Sequence, residues 1–242
     1  MTLKAILLDL NGVIINDEPI NQQLIDEILL RENLRLDPTD YQQLCLGRGT
    51  RACLKDLLAR RGRILTEENL NGLITAKVKA YQQKIASLEE LPIYPGVKEI
   101  LSRIQSAGLS IGLVTGAIRA EVELILKRLE IHHYFNIIIT GDESKTSKPD
   151  PDIYFLAVEL LNQQNPALRI TPEDCLVIEN TAAGIIGAKN AGMQVVGVAN
   201  TYPFHMLQRQ TNWTVDYLVD LELERIQKVF AGEEYELLTE VN

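Results

Sequence analysis

Asp9, Thr115, Lys148 and Glu179 are the residues of this chain whose types and local settings could do chemistry together. Asp9 closes the apolar run Ala5-Ile6-Leu7-Leu8 and is followed at once by the turn signal Asn11-Gly12. A carboxylate there either caps the turn or stands free as a nucleophile. As a nucleophile it attacks phosphorus and forms an acyl-phosphate that water later cleaves. Thr115 and Glu179 also close apolar runs, Gly112-Leu113-Val114 and Leu176-Val177-Ile178. Lys148 precedes Pro149-Asp150-Pro151. Read alone, it is a solvated loop lysine; beside a phosphoryl group it neutralises developing charge.

These residues need a frame that brings them to one place. The short apolar run before Asp9 suits a central parallel strand buried on both faces. From about Pro19 to Ser87 the spacing turns helical. Ile20, Leu24, Ile28 and Leu29 share one face, Leu54, Leu57 and Leu58 another, and Leu70, Leu73, Ile74 and Val78 a third. After the break at Leu91–Gly96, strands and helices alternate. Strands are predicted over 109–115, 136–140, 175–179, 194–198 and 215–218, and helices over 121–129, 151–161 and 182–191. The prediction is an α/β fold with a doubly wound, mostly parallel sheet and an inserted all-helical segment. Residues 1–16 and 91–242 form the core domain and 17–90 the helical cap domain. Ligands of such sheets sit beyond the carboxyl ends of the strands, where Asp9, Thr115 and Glu179 fall. The last ten residues are polar and acidic and are expected to fray.

The composition is that of a soluble globular protein, with 46% apolar and 24% charged residues. A net charge of -9 argues against nucleic-acid or anionic-membrane partners, which need clustered cations. No run reaches the ~20 apolar residues of a membrane span. Cys45, Cys53 and Cys175 are odd in number and lack metal spacing, so they read as reduced thiols in a cytoplasmic protein. Oligomeric state is not legible.

Four segments in order resemble the haloacid dehalogenase superfamily, and most closely its β-phosphoglucomutase-like phosphatases. Leu8-Asp9-Leu10-Asn11-Gly12-Val13 followed by Asp17-Glu18-Pro19 is similar to the first motif, D-x-D-G-V/T and then D-S-E-P. Thr115-Gly116 resembles the second, and Ser147-Lys148-Pro149-Asp150-Pro151 with Tyr154 the third. Glu179-Asn180-Thr181-Ala182-Ala183-Gly184 resembles the fourth, usually E-D-S-x-x-G. The resemblance covers residues 3 to about 201. It implies that Asp9 attacks the phosphoryl group, that Thr115 and the Gly116 N–H bind its oxygens, and that Lys148 offsets charge. It also implies a Mg²⁺ ion held by Asp9, the Asn11 carbonyl and Glu179, with Asn180 beside them.

The departures bear on rate. Asn11 stands where phosphatases of this family carry the aspartate that protonates the leaving alcohol and then deprotonates water. An amide can do neither, and general acid–base help is worth roughly 10²–10⁴ in rate. On the motif alone, Asn11→Asp should therefore raise turnover. Asn16 and Asn180 replace two further motif aspartates, the latter removing a charge from the metal site. In the cap, Gly47-Arg48-Gly49-Thr50-Arg51 is a basic turn matching a segment that faces the active site in the family. Arg48 or Arg51 would then hold substrate; otherwise the segment is a solvated helix start capped by Thr50. The implied function is a Mg²⁺-dependent phosphatase of a small phosphorylated metabolite, slow because of Asn11. The alternative is a catalytically weakened relative that binds a phosphorylated ligand or a protein partner.

Overall fold

The computed structural model describes residues 2–233. The last ten residues, expected to fray, lie outside the described residues except for residue 233. Six strands form one sheet in the order β3-β2-β1-β4-β5-β6, every pairing parallel. They are β1 (Ala5–Leu8), β2 (Ser110–Val114), β3 (Ile137–Ile139), β4 (Cys175–Glu179), β5 (Gln194–Val198) and β6 (Trp213–Val215).

Between β1 and β2 lie α1 (Glu18–Arg31), α2 (Pro38–Leu44), α3 (Thr50–Arg60), α4 (Glu67–Ser87) and α5 (Val97–Ser106). The first four carry no strand between them, as the helical spacing predicts. α5 escapes the sequence reading because it follows directly on the Pro95-Gly96 break, although Val97, Ile100, Leu101 and Ile104 make a clear apolar stripe. Beyond β2 come α6 (Arg119–Leu129), α7 (Asp152–Gln164), α8 (Ala182–Asn190), α9 (Phe204–Leu207) and α10 (Leu223–Ala231). The last strand lies earlier than predicted: residues 218–220 form a 3-10 turn, and the pairing partner of β5 is Trp213–Val215.

Side chains alternate across β1 with period two. Ile6 and Leu8 face one apolar layer with α5, α6 and α10; Ala5 and Leu7 face another with α7 and α8. Both faces are covered, which is why β1 has no polar residue until Asp9. The insert closes around its own apolar cluster, including Ile28, Leu29, Tyr41, Leu54, Leu57 and Leu70.

The cysteine expectation fails. Cys45 and Cys53 form a disulfide, and only Cys175 is free. The Gly47-Arg48-Gly49 turn folds the end of α2 back onto the first turns of α3, bringing the two Cα atoms to 4.5 Å. Spacing along the chain cannot show that reversal. Among the described residues no helix is long and apolar enough to cross a membrane.

Candidate active site

Strand register assembles the site. Leu8 lies opposite Leu113 on β2 and Ile178 on β4. One step further along each strand stand Asp9, Val114 and Glu179, with Thr115 next. Lys148 enters from the loop after β3 and is 2% exposed. Its Nζ donates to Asp9 Oδ1 (3.2 Å), Glu179 Oε1 (2.7 Å) and the Val114 carbonyl (3.0 Å). The solvated-loop alternative for Lys148 is excluded by that burial. Burial works against its charge, but the Asp9 and Glu179 carboxylates hold it protonated, well above the ordinary lysine range. Burial also pushes the Asp9 carboxyl up to about 6, against the pull of Lys148.

Glu179 has no oxygen to spare. Oε1 accepts from Lys148 and the Tyr154 hydroxyl, and Oε2 from the backbone N–H groups of Asn180 and Thr181 and from the Thr181 hydroxyl. Its role in this geometry is to hold Lys148 and the following loop. Asn180 differs: its Nδ2 donates to Thr201 Oγ1 (2.6 Å), while its buried Oδ1 has no hydrogen-bond partner. An unsatisfied buried oxygen costs about 1–3 kcal/mol. A hard cation that takes oxygen ligands would satisfy it. Among the described residues no group of three or more His, Cys, Asp or Glu side chains could hold a metal ion. Mg²⁺ needs few carboxylates and keeps several waters. Asp9, the Asn11 carbonyl and Asn180 Oδ1 are therefore a donor set that fits it.

Asn11 donates from Nδ2 to both oxygens of Asp17, at 2.9 and 2.7 Å, and its Oδ1 lies 3.4 Å from Thr115 Oγ1. Thr115 Oγ1 also accepts from the Ala117 N–H. Gly116 is backed by the Gly47-Arg48-Gly49 turn so closely that a Cβ on it would lie 2.9 Å from the Arg48 carbonyl carbon. Gly47, at φ +74°, is packed against the Thr181 side chain in the same way. The insert is thus seated on the strand-end loops, and the cavity between them has about 50 Å³ of free volume. That is far below the ~300–1,000 Å³ of small-molecule pockets.

Several wall residues were missed in the sequence: Glu18, Asn21, Tyr41, Lys77 and Glu121 line the same cavity. The adjacent acids Asp17-Glu18 were a usable signal; Lys77 and Glu121 sit 44 residues apart and gave none. Lys77 on α4 pairs with Glu121 on α6 at 2.9 Å and donates to Asn21 Oδ1 at 2.6 Å, both ionic side chains being buried. Removing one member of a buried pair costs about 3–5 kcal/mol. Glu121→Ala should therefore lower the melting temperature by roughly 10 °C, at about 2–4 °C per kcal/mol for a chain of this size. A thermal melt within 2 °C of wild type would contradict a latch at that position.

Glu18 accepts from the Tyr41 hydroxyl. Burial outweighs that bond and pushes the Glu18 carboxyl from 4.5 to about 7. Because the folded protein holds this proton more tightly, the stabilisation is complete below the unfolded value near 4.5. It is lost as pH rises through about 7. Glu18→Gln should match wild type at pH 4.5 and exceed it at pH 8 by about 1–2 kcal/mol, after discounting for partial exposure. Metal-free melts at the two pH values check this; an equal difference at both would refute it.

Of the basic turn, Arg48 lines the cavity and Arg51 does not. Arg48 donates to the Leu44 carbonyl (3.0 Å) and Asp56 (2.7 Å), leaving its buried Nε without a partner. Arg51 instead reaches Glu67 and Asn71 on the outside of the insert. Gly49, not Thr50, is the N-cap of α3.

Comparison with known proteins agrees with this architecture. The family model described as haloacid dehalogenase-like hydrolase matches residues 3–192. The β-phosphoglucomutase of Bacillus subtilis is 29% identical over 231 residues, covering 93% of this chain and 95% of its own. A phosphorylated carbohydrates phosphatase of Thermotoga maritima is 28% identical over 202 residues, covering 82% and 87%. The crystal structure of a β-phosphoglucomutase from Clostridium difficile superposes with a TM-score of 0.82 at 25% identity, over 97% of this chain and 99% of that one.

Proposed function

The chain belongs to the haloacid dehalogenase-like hydrolase family, and from that premise we propose that it is a Mg²⁺-dependent phosphatase of small phosphorylated metabolites that works through an aspartyl-phosphate at Asp9. The observation that carries the proposal is the buried Lys148 ammonium held against Asp9 at the strand ends. An uncompensated carboxylate would repel a phosphate dianion; one held by a cation can approach it. Phosphoryl transfer depends almost wholly on such positioning and charge stabilisation.

In this reading Asp9 attacks phosphorus as the bond to the leaving alcohol breaks. Thr115 and the Gly116 N–H hold the equatorial oxygens, and Arg48 Nε offers a further donor from the insert. Asp9, the Asn11 carbonyl and Asn180 would hold Mg²⁺, which when bound would supply positive charge beside the transferring group. Asn11 accepts or donates a hydrogen bond but moves no proton. Glu18, pushed by burial to about 7 in the same cavity, is a carboxyl with a proton available near neutral pH. Helices α1–α4 act as the cap that excludes bulk water when seated.

The names of the relatives make phosphorylated carbohydrates the first class to test. A screen of phosphomonoesters with and without Mg²⁺ should show phosphate release that EDTA abolishes. Tight binding without release would favour the alternative, a weakened relative that holds a phosphorylated ligand. The specific observation on that side is the amide at position 11.

A further inference from the structure

We propose that Asp17 is a positioning residue of the site: its carboxylate grips the Asn11 amide and turns Oδ1 toward Thr115, and this grip is what makes position 11 an amide. Two observations carry the inference. The first is the contact itself, with Asn11 Nδ2 between both Asp17 oxygens at 2.9 and 2.7 Å. Both Asp17 oxygens accept from the Asn11 amide, so the contact decides which end of that amide faces Asp17. The opposite end is then fixed too, 3.4 Å from Thr115 Oγ1.

The second observation is what Asp17 does not do. It occupies the N-cap of α1, where an aspartate usually accepts from the backbone N–H groups of the first turn. Here its side chain makes no capping bond. It is fully buried and turned instead toward Asn11, Asn21 Nδ2 (3.1 Å) and the Tyr81 hydroxyl. All three donors are neutral. Asn21 is fixed in turn by Lys77, which Glu121 holds. A chain of contacts therefore runs from α6 through the insert to the residue two after Asp9.

This reverses the expectation drawn from the motif alone. Asn11→Asp would set two buried carboxyl groups face to face, which must either repel or hold a proton between them at a cost, so it should not simply restore the family pattern. Asp17→Asn turns one of the two oxygens that grip the Asn11 amide into a competing donor, at almost constant volume. The exchange Asn11→Asp/Asp17→Asn rebuilds the donor–acceptor pair in reverse.

The catalytic half of this inference rests on the phosphatase reading; the stability half does not. The test measures melting temperature, kcat and KM for the three variants. Asn11→Asp should melt roughly 5 °C or more below wild type. The exchange should melt within about 3 °C of wild type and turn over at least as fast. Asp17→Asn should also melt within about 3 °C of wild type, yet lose about tenfold in kcat with KM changed less than threefold, the split expected when orientation rather than binding is lost. The proposal is overturned by any of four results: Asn11→Asp at the wild-type melting temperature, an exchange that melts as low as Asn11→Asp, Asp17→Asn with wild-type kcat, or Asp17→Asn losing stability and activity together. If wild-type protein releases phosphate from no phosphomonoester, the phosphatase reading fails by itself. The melts of Asn11→Asp and the exchange then still decide the coupling.

Discussion

Asp9→Asn is expected to remove phosphatase turnover, on the order of 10⁴-fold or more, as when other enzymes lose a nucleophile. At about 1.36 kcal/mol per decade this raises the barrier by roughly 5 kcal/mol. The fold should survive. Lys148 keeps Glu179 at 2.7 Å and the Val114 carbonyl at 3.0 Å, so the change leaves one ammonium facing one carboxylate. Burial disfavours the charged form of Asp9 in the resting protein. An uncharged amide of the same shape relieves that cost, and the variant should melt at or above the wild-type temperature. Loss of activity with no loss of stability distinguishes a nucleophile from a structural acid. Mg²⁺ with beryllium fluoride, an analogue of the aspartyl-phosphate, should stabilise wild type by ligand linkage and leave Asp9→Asn unshifted. Residual turnover above a tenth of wild type would be too much for a lost nucleophile.

The sequence made the sheet and the nucleophile legible because both are local. A strand buried on two faces is a continuous apolar run, and Asp9, Thr115 and Glu179 each terminate one. The parallel register of β1 with β2 and β4, which a continuous apolar run does not specify, then places Asp9 beside Glu179. What was illegible is long-range. Lys77 and Glu121 belong to helices far apart in the chain, and each reads as an ordinary solvated charge until both are buried together. Arg51 and Arg48 look alike in the chain, yet one turns to the outside of the insert and the other to the cavity, because α3 begins at Gly49 between them. The disulfide and the Asp17–Asn11 contact are close in the chain and were hidden instead by local turns that spacing alone does not show. Asp17 falls within a motif whose resemblance drew attention to Asn11 and Asn16. Its own significance appears only when its side chain is seen to leave the helix terminus.

Lys148→Ala should damage both catalysis and stability, which a lysine on an exposed loop would not do. A loop position after a strand ordinarily predicts a tolerant site, since loop side chains are solvated. Here the side chain is withdrawn beneath the loop and closes a triangle with Asp9 Oδ1 and Glu179 Oε1. Truncation leaves two buried carboxylates without their cation, a cost of about 3–5 kcal/mol for a broken buried pair. A fall in melting temperature of roughly 10 °C follows at pH 7.5. The loss should shrink as pH falls. Burial already holds Asp9 near 6 in the folded state, above its ordinary 3.8, and removing Lys148 raises it further. The folded variant therefore gains protons that the unfolded chain does not, and it recovers stability toward pH 5. Turnover should fall by about 10²–10³, the effect of deleting one preorganised charge-stabilising group. Asp9→Asn in the same background should then restore much of the lost stability without restoring activity, because it removes one of the two opposed charges. A Lys148→Ala protein that melts like wild type at pH 7.5 would show that the ammonium is not the group holding these carboxylates in place. A double variant no more stable than Lys148→Ala alone would show that their repulsion is not the source of the loss.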